Sequence, residues 1–96
     1  TDGATWRRVV ERDVLPAIDR WRPEMLFISA GFDAHAADPL ASLGLLEEDF
    51  AWVTRELVAL AQIHGEGRVV SILEGGYEPT ALARSVVAHL KALAGN

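Results

Sequence analysis

Apolar residues return at helical spacing in three stretches of the chain and run without interruption in two others. In the first stretch Trp6, Val9, Val10, Val14, Ala17, Ile18 and Trp21 share one side of a helix. Pro16 is expected to bend that helix, because it lacks a backbone donor and crowds the preceding turn. Pro23 closes it, since the residue before a proline, here Arg22, is pushed out of helical geometry. Met25 to Ser29 then form a short continuous apolar strand, the kind that parallel sheets bury on both faces.

A second helix is predicted from about Glu47 to His64, with Leu46, Phe50, Val53, Leu57, Leu60 and Ala61 as its apolar stripe. Glu47, Glu48 and Asp49 complement the dipole at its start, and His64 does so at its end. Gly65 is the expected stop, with Gly67 in the turn that follows. Val69 to Leu73 make the second strand, which Glu74-Gly75-Gly76-Tyr77 breaks. Pro79 suits the first position of a last helix running towards Ala94, with Leu82, Val86, Leu90 and Leu93 on its buried side.

The order is therefore α-β-α-β-α. A helical crossover between two strands makes them parallel neighbours with a right-handed connection. Two strands make a poor sheet, and parallel strands this apolar call for helices on both faces and further strands beside them. The expected fold class is α/β, as part of a larger doubly wound domain. Parallel strands also send both following loops to one rim, the edge where open α/β sheets hold their ligands. Asp33 follows the first strand and Gly75-Gly76-Tyr77 the second, so a carboxylate and a phenol are expected to share that rim.

Composition narrows the picture. Half of the 96 residues are apolar and 24% are charged, which suits one small globular domain rather than a disordered chain. There is no cysteine, so disulfides and thiolate metal sites are excluded. A net charge of −5 speaks against a nucleic-acid partner, which needs a basic footprint. No apolar run reaches membrane-spanning length and Thr1-Asp2-Gly3 opens no signal pattern, so a cytoplasmic protein is expected. The absence of an initiator Met suggests a piece of something longer.

Single residues admit plainer roles. Asp33 alone suits a turn cap, and Asp38 before Pro39 is a turn former. His35 is expected to be a loop residue at the rim, His64 a dipole partner and His89 a surface residue of the last helix. Glu74 suits an acid catalyst or, more commonly, an acceptor for backbone donors ahead of a helix. Tyr77 alone is a packing tyrosine at a helix start, and Trp6 and Trp21 are core or covering surface.

Taken together, Ser29-Ala30-Gly31-Phe32-Asp33-Ala34-His35, Asp38-Pro39-Leu40, the Leu43-to-Phe50 run and Leu73-Glu74-Gly75-Gly76-Tyr77 resemble the C-terminal part of the histone deacetylase superfamily. Val14-Leu15-Pro16-Ala17 is similar to it as well. The likeness is nearest to bacterial class II-like deacetylases, acetylpolyamine amidohydrolases and acetoin-utilization proteins, and covers the last quarter to third of a family catalytic domain. It implies that residues 1–96 are a C-terminal fragment of a larger three-layer arginase/deacetylase-type domain. It also implies hydrolysis of acetylated amines, either acetyl-lysine in a protein or an acetylated polyamine, with zinc as cofactor. Asp33 then matches a zinc ligand, Tyr77 the tyrosine that donates to the scissile carbonyl, and Gly75 and Gly76 the loop lining the acyl-lysine tunnel.

The family's Asp-x-His ligand pair and its tandem histidines have no counterpart in this chain. Asp33-Ala34-His35 spells Asp-x-His, but the family takes only the aspartate from this segment. One such carboxylate is too few ligands for a zinc site, so the fragment alone is expected to be inactive and to bind zinc weakly. Its bare strand edges are expected to drive self-association. The alternatives are an unrelated doubly wound hydrolase using Asp33, or a non-catalytic α/β interaction module. A Rossmann dinucleotide site is not expected, since neither strand leads into GxGxxG.

Overall fold

A computed structural model describes residues 2–32, 35, 37, 44–76 and 78–95. The elements in order are α1 (Gly3–Val9), a π-helical turn (Val10–Val14), α2 (Leu15–Trp21), β1 (Leu26–Gly31), α3 (Glu47–His64), β2 (Val69–Gly75) and α4 (Pro79–Leu93). The order is the expected one, and α3 begins and ends where its periodicity places it.

The first helical stretch is not one bent helix. The Leu15 N–H reaches back to the Val10 carbonyl, a five-residue step that opens a π turn just ahead of Pro16. Pro16 then sits in the first turn of α2, where a missing donor costs nothing. Arg22 does leave the right-handed helix, by entering the left-handed region at φ 57°. Gly65 ends α3 without a left-handed dihedral, at φ −128°. Its reason is space: a Cβ there would stand 2.5 Å from the Glu24 carbonyl oxygen. The left-handed residues of this turn are Glu66 and Gly67.

β1 and β2 pair in parallel, with Leu26 opposite Val69 and Ala30 opposite Leu73. Both strands run further than their apolar residues suggest, ending at Gly31 and Gly75 instead of Ser29 and Leu73. Gly31 pairs with Gly75, so Glu74 is the extra residue of a bulge at the C-terminal end of the ladder. Glu74 is exposed there, and the backbone donors at the start of α4 are taken instead by Glu78, which accepts from the N–H groups of Thr80 and Ala81.

The two faces of this ladder differ. Leu26, Ile28 and Ala30 turn to the side covered by α3 and α4, while Phe27 (69% exposed), Val70 and Ile72 (53% exposed) lie open on the other. The core is formed by Ala30, Phe32, Leu45 and Phe50, with Trp6, Ile28, Leu82 and Val86 packed around it. It sits at the C-terminal end of β1, beneath the rim.

α4 keeps Leu82 and Val86 of its expected stripe against the core, but its fully buried residues are others. Ala81, Ser85, His89 and Ala92 face inward, and Leu90 is exposed. The inner side of α4 is made of small and polar residues because α3 packs close along it. Leu46, expected in the stripe of α3, is exposed at the N-cap, and Trp21 is 83% exposed. Trp6 instead meets Trp52 edge-on at 6.1 Å.

Candidate functional site

The rim is built around one backbone hydrogen bond. The Phe32 N–H donates to the Gly75 carbonyl at 2.8 Å, continuing the ladder past the bulge. The residue before Asp33 is thereby bonded to the residue two before Tyr77, and the two loops do leave the sheet side by side. Phe32 is buried, edge-on to Phe50 at 5.1 Å. Asp33, Asp38 and Tyr77 themselves lie outside the described residues.

Gly75 and Gly76 are half-buried at the end of β2. Gly76 has φ +135°, where side chains are strained, and a Cβ there would meet Leu82 Cδ1 at 2.7 Å and Phe32 Cβ at 3.4 Å. Glycine is required at this point by dihedral angle and packing alone.

His35 lies between β1 and α3, outside the regular elements as expected, and is only 3% exposed. Its N–H donates to the Phe32 carbonyl (3.2 Å), and its backbone forms a bridge with Leu45. Its Nδ1 accepts from the Ala37 N–H (3.0 Å), which leaves the proton on Nε2 to be donated to Glu47 Oε1 (2.8 Å). The ring stacks over Phe50. Both ring nitrogens are committed, so neither is offered to a metal.

Glu47 receives a second donor, Arg84 Nε of α4, at 3.0 Å on the same oxygen. Burial pushes the Glu47 carboxyl up, but its own backbone N–H, the His35 ring and Arg84 outweigh that and hold it below its ordinary range. Two positions further along α3, the buried Asp49 accepts from the Leu46 N–H (2.9 Å) and from Arg7 Nε (2.8 Å), docking α1 onto the start of α3. The dipole argument placed these acids correctly but missed their partners, which come from 12, 37 and 42 residues away.

His89, expected on the surface, is 5% exposed. Thr54 Oγ1 donates to the Phe50 carbonyl (2.7 Å) and so accepts from His89 Nδ1–H (2.8 Å). Ser71 Oγ then donates to His89 Nε2 (2.7 Å). This chain ties α3, α4 and β2 together, and burial pushes the His89 pKa down. A polar residue in register with Ala81, Ser85 and Ala92 was the available sign that His89 faces inward.

Among the described residues no three His, Cys, Asp or Glu side chains stand together as a metal site. By its chemistry a carboxylate such as that of Asp33 is a proper zinc ligand. No helix of the described residues is long and apolar enough to cross a membrane.

A parallel pair under two helices, with two glycine-flanked loops joined at its C-terminal rim, is the architecture of an arginase/deacetylase-type domain. Residues 1–93 match the family described as "Histone deacetylase domain". The chain belongs to that family. It is 49% identical over 80 residues to the "Type-2 histone deacetylase 1" of Dictyostelium discoideum, covering 83% of this chain and 5% of that protein. It is 45% identical over 84 residues to a "Probable deacetylase" of Methanothermobacter thermautotrophicus, covering 85% of this chain and 24% of that protein. Among solved structures, the HDA15 HD domain superposes on 99% of this chain with a TM-score of 0.90 and 30% identity, and the match takes up 26% of that structure's chain. The chain thus spans a quarter or less of the length of these curated relatives. Membership removes the alternative of an unrelated doubly wound hydrolase.

Proposed function

We propose that this chain is the C-terminal part of a zinc-dependent deacetylase domain that hydrolyses acetylated amines, and that it supplies half of the active site. The observation that carries this reading is the Phe32–Gly75 hydrogen bond, which joins the two family motifs at one rim. Asp33 contributes one carboxylate to the metal. When bound, zinc supplies Lewis acidity to the substrate carbonyl and lowers the pKa of a water. Tyr77 donates a hydrogen bond to the carbonyl oxygen as charge develops on it, and Gly75 and Gly76 line the passage for the acylated amine. The substrate is an acetylated lysine or polyamine, the setting is cytoplasmic, and neither nucleic acid nor membrane takes part.

Steady-state kinetics on an acetyl-lysine substrate, in a complete domain carrying this chain, test the reading. Tyr77→Phe keeps the ring and loses the donor, so kcat falls on the order of 100- to 1000-fold with little change in KM. Near-normal kcat would reduce Tyr77 to a packing residue and favour a non-catalytic module. Asp33→Ala abolishes turnover and removes the metal. The isolated chain is inactive, and its open strand edges and the bare face of Phe27, Val70 and Ile72 drive self-association. Light scattering that gave a concentration-independent monomer would refute the last point.

A further inference from the structure

We infer that Glu47 is a positioning residue for the metal-binding rim, acting through His35. This rests on the proposed role of Asp33 as a zinc ligand. Asp33 is bracketed in sequence by two buried anchors, Phe32 immediately before it and His35 two residues after. Phe32 is held by the ladder and by Phe50. His35 has no regular strand or helix to hold it. Its ring is fixed between the Ala37 N–H, the face of Phe50 and Glu47 Oε1.

Phe50 and Glu47 both belong to α3, and among the described residues Glu47 is the side chain of α3 that hydrogen-bonds the His35 ring. Glu47 opens α3, so the bond attaches the loop to the rigid start of an 18-residue helix. The same oxygen takes Arg84 Nε of α4, the helix that follows the Gly75-Gly76-Tyr77 loop. One carboxylate therefore joins the loop of the proposed metal ligand to the helix that follows the proposed tyrosine in sequence. His35, both of whose nitrogens are used, fits a support for the neighbouring carboxylate and not a ligand. Such outer supports hold ligands in place, and their loss costs roughly 10- to 100-fold in metal affinity.

The test measures zinc affinity by competition with a chelator, alongside kcat, KM and thermal unfolding, in a complete domain. Glu47→Gln keeps an acceptor for His35 and Arg84, so its zinc affinity stays near the parent value. Glu47→Asp keeps the charge and a good helix start but shortens the reach by one methylene, so affinity and kcat fall while KM holds. Glu47→Ala loses the most, on the order of 10- to 100-fold in zinc affinity. The inference is overturned if zinc affinity is the same in all three variants, or if unfolding temperature falls while the folded protein binds zinc normally. Asp33→Asn checks the underlying reading separately. Unchanged zinc affinity in that variant would sink the metal role itself, whatever Glu47 does.

Discussion

Two buried histidines divide this molecule into a rim and a seam. His35 and His89 are both nearly inaccessible, and each uses both ring nitrogens. At the rim, His35 ties a loop to the start of α3. At the seam, His89 ties α3 and α4 to β2 through Thr54 and Ser71. The same side chain thus serves two ends, and what differs is what its partners are attached to. His89 joins regular elements that already pack on one another, so its loss is a loss of stability. His35 lies outside the regular strands and helices, two residues from a proposed ligand, so its loss is felt in the site.

The largest expected effect is at the seam. His89→Ala leaves a cavity and takes the acceptor from the half-buried Ser71 hydroxyl, while Thr54 keeps its bond to the Phe50 carbonyl, and should cost about 2–4 kcal/mol of stability. Urea unfolding of a complete domain measures this, with zinc affinity of the folded protein expected to be unchanged. A fall in zinc affinity as large as the fall in stability would erase the distinction between rim and seam.

His35→Ala is the reciprocal experiment. It should lower zinc affinity roughly 10- to 100-fold. Calorimetric titration with zinc checks it. Unaltered binding, combined with a large drop in stability, would make His35 a second seam residue.

The smallest effect is a pH dependence at the seam. Burial depresses the His89 pKa below its ordinary 6.5, so the unfolded chain takes up the proton first. Its contribution is fully present above pH 6.5 and is lost as pH falls from there through the lower folded value. Urea midpoints at pH 7.5 and 5.5 should show the decline, and it should be shallower in His89→Asn. An unchanged slope in the variant would assign the decline to other groups.

Much of the frame was legible in the residues themselves. The bounds of α3 follow from a long apolar period between an acidic first turn and a glycine stop, and local rules suffice for that. The parallel pairing follows from strand, helix and strand in succession, and with it the common rim. The motifs at the two strand ends pointed to the family that the comparisons then showed.

Interactions between distant residues were not legible. His35 has no local sign of burial and His89 has only its register with Ala81, Ser85 and Ala92, because what buries them arrives from Glu47 and Phe50 in one case and from Thr54 and Ser71 in the other. The inward side of α4 was legible only in part, with Leu82 and Val86 packed on the core but Leu90 exposed, for a related reason. Hydrophobicity favoured Leu90, but close approach of α3 selects the small and polar side. Pro16 announced a disturbance without its form, since a helix can answer proline with a bend or with the π turn it adopts here. Periodicity and motif thus determined which elements form and which rim carries the chemistry. Only the tertiary structure decided which polar side chains are buried and bonded, because that depends on partners dozens of residues away.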